Sequence, residues 1–154
     1  ITMQVARNFF LSSEKTLTRK LYEALLAFKI EHSLTKEQIL ELYLNQIYLG
    51  QRAYGFGAAS QIYYNKQVSQ LTLAESAMLA GLPKAPSLYN PIINPQRAKQ
   101  RQQLVLRRMT ELGYITAAQH DEAVKAPVRA RREVSEYSIH AEYAAEMVRQ
   151  AIAD

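Results

Sequence analysis

The chain has no cysteine and no tryptophan among its 154 residues. Without thiols, disulfides and thiolate metal sites are excluded, while the redox compartment stays open. Glycine and proline number five each, and four of the prolines crowd into Leu82–Pro95, so turn signals are sparse elsewhere. No apolar run approaches the roughly 18 residues that a membrane-spanning helix requires. No basic stretch leads into an apolar core at the start, so no signal peptide is visible. Alternating strand patterns are nearly absent. Acidic residues are the minority: 14 Asp and Glu face 19 Lys and Arg, for a net charge of +5. That balance suits anionic partners, whether nucleic acid, phospholipid headgroups or a phosphorylated substrate, and does not choose among them.

What remains reads as a helical, globular domain, with 48% hydrophobic and 21% charged residues. Thr35–Gln38, Thr72–Glu75 and Thr116–Gln119 each fit a capping box ahead of an apolar-periodic run. Asn94-Pro95 supplies a further start, with Asn as N-cap, and Gly113 closes the same helix after Leu112. The pattern predicts helices over 2–11, 16–33, 36–49, 55–64, 72–82, 95–112, 116–125 and 138–153, an all-α fold. LPKAPSLYNPIINP, residues 82–95, is predicted to be an extended surface loop. A basic linker, 125–132, precedes an acidic amphipathic tail with Glu133, Glu136, Glu142 and Glu146. The opening residues lack an initiator Met and read as mid-domain sequence, so the expectation is a piece of a larger domain.

The helix over 16–33 carries the oddest chemistry. Arg19 and Glu23 are i,i+4 neighbours and Lys20 and Glu23 i,i+3 neighbours, while Leu17, Leu21, Leu25 and Phe28 line another flank. Two cations beside a carboxylate read either as a solvated ion pair worth about 0.3–0.5 kcal/mol or as a site for an anion. The next helix places Ile39, Leu40, Tyr43, Leu44 and Ile47 on its expected buried side. Gly55, Gly57, Ala58 and Ala59 then leave little side-chain bulk, which permits close helix packing or close approach of a ligand.

In this order the segments resemble the peptidoglycan glycosyltransferase domain of the class A penicillin-binding proteins, over at least Ile1 to about Val128. Ile1-Thr2-Met3-Gln4 is similar to the end of that family's GGSTITQQ motif, with Met3 in place of the first Gln. Arg19-Lys20-Leu21-Tyr22-Glu23 matches RKxxE, and Lys36–Asn45 matches KxxILExYLN. Arg52–Ala59 resembles the Gly/Ala motif that follows, and Leu79–Pro91 and Tyr143–Gln150 also resemble this family, the latter the segment leading towards its transpeptidase domain.

The resemblance implies a lysozyme-like helical fold, incomplete at its N-terminus, over 1–128, with 129–154 as linker and helix towards a transpeptidase domain. It implies polymerisation of lipid II: an acceptor 4-hydroxyl attacks the anomeric carbon of the growing glycan and expels undecaprenyl pyrophosphate with inversion. A carboxylate must take the hydroxyl proton, and cations must stabilise the departing diphosphate. Glu23 matches the family's second essential glutamate; beside two cations it is expected to be ionised and to orient substrate or hold a divalent ion such as Mg²⁺. Arg19 and Lys20 suit the pyrophosphate, and Arg7 and Lys15 fall at basic positions that could complete the cradle. Gln4 would hydrogen-bond substrate, and Asn45 fits either a structural cap or a support. No cofactor is certain. The family's motif with the general-base glutamate lies upstream of GGSTITQQ and is not matched here, so these 154 residues are expected not to polymerise lipid II alone.

His32, His120 and His140 are dispersed, with no i,i+4 pair, so a zinc site is not expected. Tyr43, Tyr48, Tyr54, Tyr63 and Tyr64 suit core and sugar stacking alike. Three rival readings remain. A lysozyme-like lytic transglycosylase would share the fold, although glycan cleavage has no diphosphate leaving group. A helical nucleic-acid module would use Arg97, Lys99, Arg101, Arg107 and Arg108 with Arg129, Arg131 and Arg132, yet anionic headgroups suit that face better, and no nucleic acid is expected. A scaffold segment would pack its acidic tail on a downstream domain. The expected partners are lipid II, the growing glycan, the membrane surface and the transpeptidase domain, at the outer, periplasmic face of a bacterial cytoplasmic membrane.

Overall fold

The computed structural model describes residues 1–10 and 16–131; Lys15 and the helix expected over 138–153 lie outside the described residues. Among the described residues seven helices follow one another: α1 (Thr2–Phe10), α2 (Leu17–Ser33), α3 (Lys36–Gln46), α4 (Gly55–Tyr64), α5 (Leu73–Gly81), α6 (Pro95–Glu111) and α7 (Ala117–Lys125), with 3₁₀ turns at Val68–Gln70 and Leu82–Lys84. Among the described residues the only β pairing is an isolated antiparallel bridge between Tyr48 and Tyr54. The all-α expectation holds.

Local hydrogen bonds set the helix starts. Thr35, Thr72 and Thr116 each accept a bond from the backbone N–H three residues on, and Gln38, Glu75 and Gln119 reach back to the cap N–H. Two orphan donors are satisfied at each start. α6 ends as Gly113 predicts: Gly113 N–H donates to Thr110 and Tyr114 N–H to Met109, the paired bonds of a Schellman motif. Asn94 occupies the N-cap position of α6, but its side chain makes no cap bond and donates instead to the Ser87 carbonyl at 3.3 Å. Proline at the first helical position has no N–H to satisfy, which lowers the need for a cap.

The core lies among α4–α7. Ile47, Leu49, Ala59, Tyr63, Leu79 and Leu82 form one buried cluster, and Ala74, Ala77, Leu106, Ile115 and Ala123 a second. α5 packs along α6, and α7 closes on both. α1, α2 and α3 pack on one another and join this body through the α3–α4 contact. Among the described side chains of these helices few are buried: Val5, Ala6, Glu23, Ala27 and Ile39.

Three expectations need correction. α3 stops at Gln46 rather than 49, because Gly55 N–H takes the Ile47 carbonyl and turns the chain back at Tyr48–Tyr54. Leu40 and Leu44 are exposed, since α3 meets its neighbours mainly through Ile39, the half-buried Tyr43 and its cap residue Ile47. The proline-rich stretch is not merely a surface loop: Leu82 is fully buried, and Asn90 is buried with its Oδ1 accepting from Ile92 and Ile93 N–H.

Candidate active site

α2 folds inside out. Its apolar flank faces solvent, with Leu17 at 90% and Phe28 at 76% exposure and Leu21 and Leu25 also exposed. Its inward flank consists of Arg19, Glu23, Leu26, Ala27 and Ile30, and Glu23 is only 1% exposed. Burying a carboxylate while four large apolar side chains stay in water costs free energy on both counts unless other contacts compensate.

The compensation for the carboxylate is local. Lys20 Nζ donates to Glu23 Oε2 at 2.6 Å, and Arg19 Nε stands 3.4 Å from Glu23 Oε1. The Lys20 hydrogen bond holds the Glu23 carboxyl below its ordinary range; burial pulls the other way, and the charges of Lys20, Arg19 and Arg7 add to the lowering. Arg7 is exposed on α1, the helix that packs against α2. Arg19 Nε and Glu23 Oε1 are buried and lack a hydrogen bond, so the pair is an ion contact with unused capacity on both atoms. The Arg19 side chain is 15% exposed and that of Lys20 57%. Arg19 is thus largely enclosed, whereas Lys20 is mostly exposed and tied to the site by its bond to Glu23.

Among the remaining expected residues, Gln4 is half-buried on α1, one turn before Arg7. Lys15 lies outside the described residues. Asn45 is exposed in the last turn of α3, and its backbone carbonyl is what Gly55 packs against: a Cβ on Gly55 would sit 2.4 Å from the Asn45 oxygen. Among the described residues no three His, Asp or Glu side chains cluster as a metal site. One carboxylate among three cations is a poor donor set for a resident Mg²⁺, which favours several oxygen ligands.

The tyrosines separate cleanly. Tyr63 and Tyr64 are core residues, whereas Tyr48 and Tyr54 are exposed, their ring centroids 5.2 Å apart and their planes tilted by 49°. Between them Gly50, Gln51 and Arg52 all have positive φ, at 85°, 48° and 58°. Only Gly50 announces this turn in the sequence; the strained Gln51 and Arg52 carry no such signal. Thr16, unremarked as a site residue, accepts from Arg19 N–H at 3.1 Å and so fixes the first turn of α2, where both cations reside. A cleft of about 490 Å³ between the start of α1, the end of α2 and the start of α3 is lined by Glu31, Leu34, Lys36 and Ile39. Glu31 lies about 18 Å along the helix from Arg19, so this cleft is separate from the cation cluster.

Three of the five α6 cations have partners within the protein, while Arg97 and Arg107 are exposed. Arg108 pairs with Glu111 at 2.9 Å, Lys99 donates to the Val124 carbonyl at 2.7 Å, and Arg101 lies 5.8 Å over the Tyr89 ring.

Comparison with known proteins brings these features together. A family model described as Transglycosylase matches residues 1–110. Penicillin-binding protein 1A of Neisseria lactamica is 63% identical over 152 residues, which is 99% of this chain and 19% of that protein. Its counterpart in Neisseria gonorrhoeae is 62% identical over the same lengths. The 2.6 Å crystal structure of penicillin-binding protein 1A from Haemophilus influenzae superposes with a TM-score of 0.66 at 46% identity, covering 79% of this chain and 18% of that one. The chain thus spans about a fifth of the length of these relatives.

Proposed function

The chain belongs to the transglycosylase family, within the class A penicillin-binding proteins, and we propose that it forms part of the machinery that polymerises peptidoglycan glycan from lipid II. The observation that carries this reading is the buried Glu23 clamped by Lys20 and Arg19, with the charge of Arg7 adding to theirs. An excess of positive charge around one carboxylate leaves net cationic capacity for a diphosphate. Arg19 offers a planar donor fork and an unused Nε, and Lys20 a mobile charge. As the bond to the anomeric carbon breaks, negative charge grows on the departing diphosphate, and preorganised cations stabilise it at that moment.

Glu23 in this scheme is ionised and holds the cations in place. It is a poor general base, being already committed to Lys20, and a poor general acid, because its carboxyl is held low. That second property also weighs against a glycan-cleaving lysozyme-like reading, which needs a carboxylic acid kept protonated near neutrality. Gln4 and Lys15 are assigned to substrate, Lys15 as a further cation; Asn45 supports the turn that Gly55 closes.

The exposed Leu17, Leu21, Leu25 and Phe28 stripe fits a lipid surface beside the diphosphate site, as expected of an enzyme whose substrate is itself lipid-anchored. None of the described helices is long and apolar enough to cross a membrane; the stripe would lie on the outer face of the cytoplasmic membrane. Residues 1–128 form the glycosyltransferase portion in this scheme, and 129–154 lead towards a transpeptidase domain. Tyr48 and Tyr54 offer a stacking surface for the sugar.

The test uses binding of a soluble prenyl-diphosphate sugar analogue by the 154-residue chain. Arg19→Ala and Lys20→Ala should each weaken it roughly tenfold or more, the loss expected of a charge-assisted contact of about 1.5–3 kcal/mol. In the complete protein Glu23→Gln should sharply reduce glycan polymerisation with the helical fold retained. Unchanged binding and turnover in these variants refute the assignment.

A further inference from the structure

We propose that Tyr63 and Asn90 are positioning residues that hold the Tyr48–Tyr54 pair in its saccharide-stacking geometry, a role that rests on the sugar-binding reading of that pair. Neither side chain touches the surface: Tyr63 is fully buried and Asn90 is 2% exposed. They belong to elements far apart in sequence, α4 and the proline-rich stretch, yet they join in one hydrogen-bonded chain. Asn90 Nδ2 donates to Tyr63 Oη at 3.3 Å, and Tyr63 Oη donates to the Leu49 carbonyl at 2.9 Å.

Leu49 is the residue next to Tyr48, and it is itself fully buried. Its N–H donates to the Ala53 carbonyl at 2.9 Å, and Ala53 N–H returns to the Gly50 carbonyl at 2.8 Å. Ala53, also fully buried, is the residue next to Tyr54. The two exposed rings are thus each attached to a buried residue, and the Leu49–Ala53 link spaces them. The turn in between sets Gln51 and Arg52 at positive φ, a conformation that costs non-glycine residues free energy and that contacts beneath the turn help to hold. Tyr63 supplies that hold from beneath. Gly50 lies so close that a Cβ there would be 2.8 Å from Tyr63 Oη and 3.3 Å from Asn90 Nδ2. Burial pushes the Tyr63 hydroxyl up to about 12, with the neighbouring Tyr48 adding to the shift, so it stays a donor at any working pH. Asn90 is fixed in turn through Oδ1, which accepts from Ile92 and Ile93 N–H. The chain of bonds therefore runs from the proline-rich stretch to the back of the aromatic pair.

Tyr63→Phe keeps the packing and deletes both bonds of the hydroxyl. The probe is a peptidoglycan-derived tetrasaccharide titrated into the 154-residue protein. Ring NMR signals of Tyr48 and Tyr54, assigned through single Tyr→Phe variants, report geometry in the absence of sugar. Tyr63→Phe should shift both ring signals and weaken tetrasaccharide binding roughly three- to tenfold, as the turn spends less time in its competent shape. Asn90→Ala, which leaves the Tyr63–Leu49 bond, should do the same to a smaller degree and stands in should Tyr63→Phe fail to fold. Leu106→Ala, a core truncation outside the network, should lower the melting temperature without moving either readout, separating positioning from general destabilisation. Unshifted ring signals in Tyr63→Phe and Asn90→Ala overturn the proposal. Tetrasaccharide binding that survives Tyr48→Ala and Tyr54→Ala instead overturns the sugar reading beneath it, whatever the ring signals do.

Discussion

Gly55 and Gly57 lie two residues apart in a segment of small residues, and replacing each by alanine should change stability in opposite directions. At Gly55 the backbone sits at φ +82°, and an added Cβ would meet the Asn45 carbonyl oxygen at 2.4 Å, its carbon at 2.8 Å and its Cα at 3.0 Å. The obstacle is backbone, at the end of α3, and cannot rotate away. A left-handed conformation costs a non-glycine residue about 1–2 kcal/mol, and forcing atoms into a packed site adds about 1–3 kcal/mol. Unfolding entropy near 2.1 cal/mol/K per residue gives roughly 0.27 kcal/mol/K for the about 130 described residues. Gly55→Ala should therefore lower the melting temperature by roughly 7–18 °C. Gly57 is within α4, and a Cβ there would meet nothing within 4 Å. Gly57→Ala gains helix propensity and should raise the melting temperature by roughly 2–4 °C, from about 0.5–1 kcal/mol. Thermal melts followed by circular dichroism decide the matter. A Gly55→Ala melting temperature within about 2 °C of the parent would refute the steric account. A Gly57→Ala protein that is stabilised but binds the diphosphate–sugar analogue poorly would mark the open space over Gly57 as ligand space.

Other consequences are simpler to check. Thr116→Ala removes a working capping box and should cost about 1 kcal/mol, whereas Asn94→Ala should change stability by less than about 0.5 kcal/mol because that side chain caps nothing; equal losses in denaturant titrations would contradict this. Glu23 is held low chiefly by its Lys20 hydrogen bond, and Glu75 is held low because Lys66 and Thr72 outweigh the opposing effect of burial. Both carboxyls bind protons less readily folded than unfolded, so their stabilisation is complete above the ordinary glutamate range and fades as pH falls through and below it. Melting temperature should thus drop from pH 5 towards pH 3, less steeply in Lys66→Met, and a flat profile would count against both pairings. Leu21→Glu with Phe28→Glu should leave the melting temperature nearly unchanged while abolishing binding to phosphatidylglycerol vesicles; retained vesicle binding would remove the lipid-facing role of the α2 stripe.

Much of the architecture was legible in the residues themselves. The threonine capping boxes and the glycine close of α6 are satisfied by bonds that reach no more than five positions along the chain. Such signals need no partner from elsewhere, so helix positions follow from local spelling. The Arg19–Lys20–Glu23 cluster was legible for the same reason, being set by helical periodicity. Which flank of a helix meets the interior is another matter. Periodicity finds an apolar flank on α2 and a charged one, and burial would normally take the apolar side inward. The fold instead buries Glu23 and leaves Leu17 and Phe28 in the open, because α1 and α3 meet α2 on its other side. Likewise ten tyrosines look alike in sequence, and only the folded chain sends Tyr63 into the core while setting Tyr48 and Tyr54 on the surface. The sequence by itself determined where the capped helices start, where α6 closes and how the cations pair with Glu23, since those depend on neighbours about a turn away; the end of α3 waited on the Gly55–Ile47 bond. Tertiary structure decided what lies inside, through contacts between residues remote in sequence such as Tyr63 and Asn90.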